Sequence, residues 1–189
     1  ANAASREDVA EAHALGAAGV GLYRTEFLFL GCRELPDEEA QFRTYRDLVL
    51  GMNGRTVTIR TLDVGADKAD RTGLVLENEP NPAMGLRGVR LSLARPALFD
   101  SQLRAIARAS GYGPVRLLLP MVAQREEVMA VRTRLDRVVA GLRAQGQEVA
   151  ERIPVGAMIE VPAAAIALPA FIDALDFVSL STNNLVLYL

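Results

Sequence analysis

The sequence Val-Gly-Ala-Met-Ile-Glu, residues 155–160, is an uninterrupted apolar run that ends at a carboxylate. A short apolar run without polar alternation is typical of a strand buried on both faces, as in a parallel sheet. Three further runs stop at or shortly before a charged or polar residue: Val20–Tyr23 at Arg24, Val57–Ile59 at Arg60, and Phe177–Leu180 before Asn183. Because a βα-barrel places its working residues at the carboxyl ends of parallel strands, this repeated placement predicts one shared site.

Strand-like and helix-like segments alternate along the chain, which is the pattern of parallel α/β architecture. Strands are predicted at Val20–Tyr23, Thr56–Leu62, Val115–Pro120, Ile153–Ile159 and Phe177–Leu180. Helices are predicted at residues 6–17, Asp37–Leu50, 84–94, 97–110, Glu126–Ala144 and Ala163–Ala174. These strands are too few to close an eight-stranded barrel. Either the first strand precedes residue 1 and the last two follow residue 189, or the sheet is open.

The composition is that of a globular chain, with 50% hydrophobic residues among 189 and a formal net charge of −2. Lys68 is the sole lysine among 21 basic residues, and the dispersed arginines are balanced by 23 acids. With few aromatic residues to stack bases, this distribution argues against a nucleic-acid surface. The sequence has neither a long apolar run nor the residue order of a secretory signal, so we expect no membrane segment and a cytoplasmic location.

Cys32 and His13 are the one cysteine and the one histidine of the chain. A single cysteine excludes an intrachain disulfide and argues against a Cys-based zinc site. His13 lies in a helix-like segment, and a Ser–His–Asp triad would have to depend on it alone. We interpret it as a surface or capping residue.

Arginines at strand ends are candidate anion ligands, because a guanidinium offers phosphate or carboxylate a planar fork of donors. Arg24 and Arg60 occupy such positions, although Arg24 has an alternative role in a surface pair with Glu26. Lys68, on the irregular stretch Asp63–Pro82, would add to an anion-focusing cleft. A loop of this length inside a compact domain is usually functional or disordered.

Two further arginines follow the turn Asn81-Pro82-Ala83-Met84-Gly85-Leu86. Asn81 would cap the helix that the turn introduces, and the backbone N–H groups at a helix start also favour anions. Arg87 is therefore a candidate anion ligand. Arg90 is either a similar candidate or a surface residue.

Glu160 ends a buried strand, where a carboxylate is costly unless it is paired or binds a cation. Mg²⁺ takes one or two protein oxygens together with substrate phosphate and waters, and Glu160 would suit that scheme. The alternative is a salt bridge to a neighbouring arginine.

Seven segments, in order along nearly the whole chain, together resemble one known family: GVGLYRTEFLFL, LPDEEAQF, RTLDVGADK, NPAMGLRGVR, LLLPMV, VGAMIEVPAAA and FVSLSTNN. They are similar to the phosphoenolpyruvate (PEP)-binding barrel of Enzyme I of the bacterial sugar phosphotransferase system. The wider family includes pyruvate phosphate dikinase and PEP synthase. The resemblance implies an α/β fold of the (β/α)8 TIM-barrel type, incomplete in this chain because the last strands are missing. Residues 1–189 would form part of the PEP-binding domain.

The resemblance also implies that PEP binds with Mg²⁺, that its phosphoryl group passes to a histidine on a separate domain, and that pyruvate is released. By motif, Arg24, Arg60 and Arg87 would hold the phosphate and carboxylate, Asn183 would contact the phosphate, and Glu160 would ligate Mg²⁺. A histidine phosphocarrier protein would then accept the phosphoryl group from the full-length enzyme. A homodimer is expected.

Some positions depart from the family pattern. Asn184 stands where the family has a second magnesium-binding aspartate, and Val186 and Leu187 stand where it usually has threonine and glutamine. An amide oxygen can coordinate a metal but removes a negative charge, so we expect weaker metal binding.

The segments that carry the family's phosphohistidine, its proton-donor cysteine and a further substrate arginine have no counterpart in the sequence. We therefore expect no catalytic residue within this chain and interpret it as a fragment of a longer phosphotransferase. One alternative, supported by Asn184, is a degenerate relative that binds PEP or a partner protein as a regulator. Another is a piece that serves mainly in dimerisation.

Overall fold

The computed structural model describes residues 1–30, 34–64 and 85–188. Within them, one sheet of six parallel strands runs in chain order from β1 to β6. The strands are β1 Asn2–Ala3, β2 Gly19–Arg24, β3 Thr56–Arg60, β4 Val115–Leu119, β5 Val155–Ile159 and β6 Phe177–Leu180. The sheet curls into a half-barrel, which confirms the predicted α/β fold and an incomplete TIM-type barrel.

The strand β1 at Asn2–Ala3 was not predicted. Its two residues pair in parallel with β2, in the register Asn2↔Leu22 and Ala3↔Tyr23. Two residues are too few for an apolar pattern to indicate a strand.

Helices connect the strands and cover the outer face of the sheet. They are α1 Arg6–Ala14, α2 Glu38–Gly51, α3 Gly88–Ala94, α4 Pro96–Ala109, α5 Arg125–Ala144, α6 Pro162–Ala167 and α7 Thr182–Leu187. Local capping fixes several starts. The carboxylate of Asp37 accepts the N–H of Ala40 at 2.7 Å, and the carboxylate of Glu127 accepts the N–H of Ala123 at 2.7 Å. The first bond satisfies a donor that the first turn of α2 leaves unpaired, and the second holds the chain where it enters α5.

The helix predicted at 163–174 was wrong in its second half. α6 ends at Ala167 and is followed by two short 3-10 turns, Leu168–Ala170 and Ile172–Ala174. Pro169 accounts for the break, because it has no N–H and its ring crowds the carbonyl four residues earlier.

Two other predicted helices have different bounds, and one helix was not predicted. α1 ends at Ala14 rather than residue 17, and Gly16 beyond it has φ +78°, a conformation that commonly ends helices. α3 begins at Gly88 because Arg87 is still extended, at φ −147° and ψ 168°. The unpredicted helix is α7.

The core lies between the sheet and the helices. Five apolar residues that recur at helical spacing along α5 are all buried: Val128, Val131, Leu135, Val138 and Leu142. They pack in one cluster with strand side chains such as Ile59, Leu117 and Val155. None of the helices in the described part of the chain is long and apolar enough to cross a membrane.

Candidate anion-binding site at the carboxyl ends of the strands

The carboxyl ends of several strands open into one cavity of about 720 Å³. All the residues predicted to form the site line it: Arg24, Arg60, Arg87, Glu160, Asn183 and Asn184. The structure thus brings together side chains from β2, β3, α7 and the segments after β5 and before α3. Their roles toward a ligand stay predictions.

Arg24 is the last residue of β2 and pairs in register with Arg60 of β3. Its side chain is exposed, and its guanidinium carbon lies 5.4 Å from the centre of the Phe27 ring. None of the ion pairs among the described residues joins Arg24 to Glu26. The suggested Arg24–Glu26 surface pair was therefore wrong, because Glu26 is buried and pairs with Arg60 instead.

Arg60 and Arg87 are buried and share the carboxylate of Asp63. Nη1 of Arg60 lies 3.3 Å from Oδ2 of Asp63, and Nη2 of Arg87 lies 3.3 Å from Oδ1. Nη2 of Arg60 donates to Oε1 of Glu26, and Nη1 lies 3.5 Å from the sulfur of Met158. Acidic and basic groups thus alternate from Glu26, which lies behind the cavity wall, through Arg60 and Asp63 to Arg87 in the wall.

Glu160 is 0% exposed, and each of its carboxylate oxygens accepts a hydrogen bond. The N–H of Met121 donates to Oε1 at 2.8 Å, and Nδ2 of Asn184 donates to Oε2 at 2.6 Å. No ion pair among the described residues includes Glu160, so the suggested salt bridge to an arginine was wrong. Burial raises the pKa of Glu160, and the negative charge of Asp63 raises it further.

The Met121 N–H reaches Glu160 through an unusual backbone conformation. Met121 has φ +57°, a value that few residues other than glycine adopt. Gly88 lies against it with φ +55°, and a Cβ at Gly88 would be 2.8 Å from the Cβ of Met121. The close approach therefore requires glycine at the start of α3.

Glu160 has two carboxylate oxygens and Asn184 has an amide oxygen, and oxygen is the ligand type that Mg²⁺ prefers. No group of three or more His, Cys, Asp or Glu that could hold a metal occurs within the described ranges. Glu160 keeps lone pairs beyond its two hydrogen bonds, and the Asn184 amide can present its oxygen if it turns. The residues therefore fit Mg²⁺ that is held jointly with oxygens of a bound ligand.

Buried hydrogen bonds that the sequence analysis missed tie the ends of β2 and β3 to the helices behind them. Oε1 of Gln102 accepts the N–H of Leu62 at 2.9 Å, and Nε2 of Gln102 donates to the hydroxyls of Tyr45 at 3.2 Å and Thr25 at 3.4 Å. The Thr25 hydroxyl donates to the carbonyl oxygen of Arg60 at 2.9 Å. Gln102 thereby connects α4 to the ends of β2 and β3, which carry Arg24 and Arg60.

Other residues singled out in the sequence lie elsewhere. His13 is half-buried in the last turn of α1, and its role as a surface or capping residue stays an interpretation. Arg90 is half-buried on α3 and is not one of the described residues that line the cavity. Cys32, Lys68, Asn81 and nearly all of the predicted loop fall outside the described residues.

Comparison with known sequences identifies what this chain resembles. A family described as PEP-utilising enzyme, PEP-binding domain, matches residues 1–189. The chain is 48% identical over 190 residues to a phosphoenolpyruvate-protein phosphotransferase of Cupriavidus necator. It is 44% identical over 188 residues to that of Geobacillus stearothermophilus, and 42% identical over 190 residues to that of Streptococcus equinus. These matches cover 100% of this chain but only 32 to 33% of the relatives, so the chain spans about a third of their length.

Proposed function

Since the chain belongs to the PEP-binding domain family of PEP-utilising enzymes, we propose that its cavity binds phosphoenolpyruvate for phosphoryl transfer to a protein. The observation that carries this proposal is the convergence of Arg24, Arg60 and Arg87 on one cavity. Phosphoenolpyruvate offers a phosphate and a carboxylate, and arginine matches both with paired N–H donors.

Each cavity side chain has a proposed part in binding. Arg60 and Arg87 are buried, where ionic contacts are stronger than in water, and they would hold the anionic groups of the ligand. Exposed Arg24 would close on the ligand from the cavity rim, and the side-chain amide of Asn183 would donate to the phosphate. Phosphoryl transfer depends mainly on positioning and on neutralising the charge of the transferred oxygens, which these groups would do.

We further propose that Mg²⁺ binds with the substrate through the carboxylate of Glu160 and the amide oxygen of Asn184. When bound, the ion would neutralise part of the phosphate charge. The surrounding protein prepares the Glu160 carboxylate by burying it and orienting it through the Met121 N–H. Since Asn184 donates to that carboxylate, its amide would have to turn before its oxygen becomes a ligand.

Residues 1–189 are proposed to be part of the PEP-binding barrel domain of a longer phosphoenolpyruvate-protein phosphotransferase. In the complete protein, the phosphoryl group would pass to a histidine on another domain and then to a histidine phosphocarrier protein of a sugar-transport system, with release of pyruvate. A cytoplasmic homodimer is proposed. Sedimentation of the complete protein would measure its association state.

Calorimetric titration of phosphoenolpyruvate into the complete protein, with and without Mg²⁺, tests the binding proposal. Arg60→Lys keeps the charge but removes the fork, so we expect the dissociation constant to rise at least about tenfold. Arg137→Lys is the matched control, since Arg137 is exposed on α5 outside the cavity. Folded protein that gives no binding heat with Mg²⁺, or an Arg60→Lys variant that binds like the unmodified protein, would contradict the proposal.

The comparisons support the catalytic proposal over the regulatory alternative. The relatives that match the entire chain carry the name of a phosphotransferase. Magnesium-dependent phosphorylation of a carrier protein by the complete protein would exclude a purely regulatory role. Binding without turnover would favour it.

A further inference from the structure

Glu26 is a buried acid that touches the anion site without lining its cavity. It lies on the 3-10 turn Thr25–Leu28, directly after β2, and is 6% exposed. Its carboxylate accepts a hydrogen bond from Nη2 of Arg60. The cavity wall includes Arg60 and Asp63, whereas Glu26 is not among the described residues that form it. Glu26 is therefore in direct contact with the cavity wall through Arg60.

The Glu26 carboxylate is incompletely satisfied. Its Oε2 atom is buried and has no hydrogen-bond partner within the described residues, and the same holds for Nε of Arg60. Burial raises the pKa of Glu26, an effect that the positive charge of Arg60 partly offsets. Burying a carboxylate with a single partner costs free energy that a well-packed apolar side chain would not. A buried group in this state calls for a role other than stability.

Arg60 lies between two acids in different surroundings. Glu26 contacts Nη2 and stands outside the cavity wall, whereas Asp63 contacts Nη1 and belongs to that wall. Without Glu26, both Nη groups of Arg60 could turn to Asp63, because carboxylates and guanidinium groups favour two parallel bonds. Both donors of the guanidinium would then be bound to Asp63 rather than presented to an anion.

We propose that Glu26 is a positioning residue that keeps Arg60 presented to the cavity by holding one end of its guanidinium against the pull of Asp63. This inference rests on the proposed function, because it assigns Glu26 a part in anion binding at the same site. Glu26 fixes Nη2, so an entering anion has to displace Asp63 from Nη1 alone. Met158, 3.5 Å from Nη1, limits the remaining motion of the group.

Glu26→Gln in the complete protein tests the proposal, since it keeps the size of the side chain and removes the charge. We expect its dissociation constant for phosphoenolpyruvate with Mg²⁺ to rise about tenfold, which corresponds to about 1.4 kcal/mol. Asp63→Asn removes the competing acid. The double variant Glu26→Gln/Asp63→Asn should therefore bind within about threefold of Asp63→Asn alone, a coupling of the kind that double-mutant cycles detect.

Glu38→Gln is the matched control. Glu38 also pairs with two arginines, Arg104 and Arg108, but on the outer helices away from the cavity. This variant should bind phosphoenolpyruvate like the unmodified protein. Thermal unfolding checks that each variant is folded. If Glu26→Gln does not fold, Glu26→Asp, which keeps the charge with a shorter reach, should weaken binding, and Asp63→Asn should again remove the effect.

The outcomes separate this inference from the proposed function. If the unmodified protein binds phosphoenolpyruvate and Glu26→Gln binds it equally well or more tightly, the positioning role is refuted and the proposed function stands. A loss of affinity that persists in full beside Asp63→Asn also refutes it, since a purely structural defect would behave in this way. Should only inorganic phosphate bind to the unmodified protein, the proposed function fails, and the same variants test Glu26 with phosphate. If the unmodified protein binds neither phosphoenolpyruvate nor phosphate, both the positioning role of Glu26 and the proposed function are refuted.

Discussion

Replacing Asn184 by aspartate should convert the contact with Glu160 from a hydrogen bond into a repulsion. Nδ2 of Asn184 donates to Oε2 of Glu160 at 2.6 Å, and Glu160 is 0% exposed. The Asn184→Asp variant places a second carboxylate at that contact with no proton between the two groups. Without a cation, the folded state must accept the repulsion, move the groups apart or bind a proton.

The expected loss of stability follows from these contacts. Two like charges 4 Å apart repel by about 4 kcal/mol at an effective dielectric constant of 20, and a hydrogen bond to a charged group worth about 2 kcal/mol disappears. Relaxation and proton binding relieve part of this, so we expect the free energy of unfolding to fall by about 3 kcal/mol at pH 7.5 without divalent cations. The loss should become smaller as the pH falls, because burial raises the pKa of Glu160 and a second carboxylate beside it favours binding of a proton further. Mg²⁺ should restore most of the lost stability, since it replaces the missing positive partner.

Urea denaturation of the complete protein, in EDTA and in millimolar Mg²⁺, measures these effects. Asn183→Asp is the matched control, because Asn183 is the exposed neighbour on α7 and should lose little stability. The reasoning is refuted if Asn184→Asp is as stable as the unmodified protein in EDTA. It is also refuted if Mg²⁺ stabilises the unmodified protein as strongly as it stabilises the variant.

Three further predictions concern the backbone contact of Gly88, the hydrogen bonds of Gln102 and the buried acid Glu26. Gly88→Ala should cost about 2 to 4 kcal/mol in urea denaturation, because the left-handed backbone and the 2.8 Å approach to Met121 exclude a Cβ. Gly141→Ala, at an open position in α5, should stabilise by up to about 1 kcal/mol, and equal effects of the two changes would contradict the argument. Gln102→Leu should cost about 2 to 4 kcal/mol by leaving buried polar groups unpaired, whereas a loss well under 1 kcal/mol would show that the network is dispensable. Because burial raises the pKa of Glu26 above its ordinary 4.5, the folded state holds a proton that the unfolded chain releases. Unfolding free energy should fall as pH rises from about 4 through the raised value, and Glu26→Gln should flatten this dependence in denaturation series from pH 4 to 8.

The sheet was largely predictable because a buried parallel strand leaves a strong local signal. The runs around Ile59, Leu117 and Val155 are rich in β-branched or apolar residues, and each forms a strand at nearly the predicted bounds. The long helix α5 was equally clear, since its apolar residues recur at helical spacing and all are buried. Elements whose conformation depends on pairing with neighbouring elements were harder to predict from the sequence. The two-residue β1 gains its conformation from pairing with β2, which no local pattern encodes.

The composition of the site was also predictable, but its pairings were not. Strand ends located Arg24 and Arg60, because strand length and direction follow from the local sequence, whereas the turn before α3 located Arg87. The partner of Glu26 depends on the register between β2 and β3, which brings residues 34 positions apart into contact. Sequence spacing favoured the nearer Arg24 instead. Gln102 left a weaker signal, as an amide among the apolar positions of α4 beside Phe99 and Leu103.

The charges around the cavity explain why the proposed arginine and magnesium sites depend on each other. Two buried arginines, Arg60 and Arg87, face three buried acids, Glu26, Asp63 and Glu160. With every group ionised, this buried set is already negative, and a phosphorylated acid would add more negative charge in surroundings that screen it poorly. Exposed Arg24 balances the set without creating an excess of positive charge. Binding of such a ligand therefore requires a cation or a proton to enter with it, and the raised pKa values of two of the acids ease the second route. An isolated arginine cluster would bind anions without an added cation or proton. This set of arginines and acids should bind anions well only when its acids are neutralised.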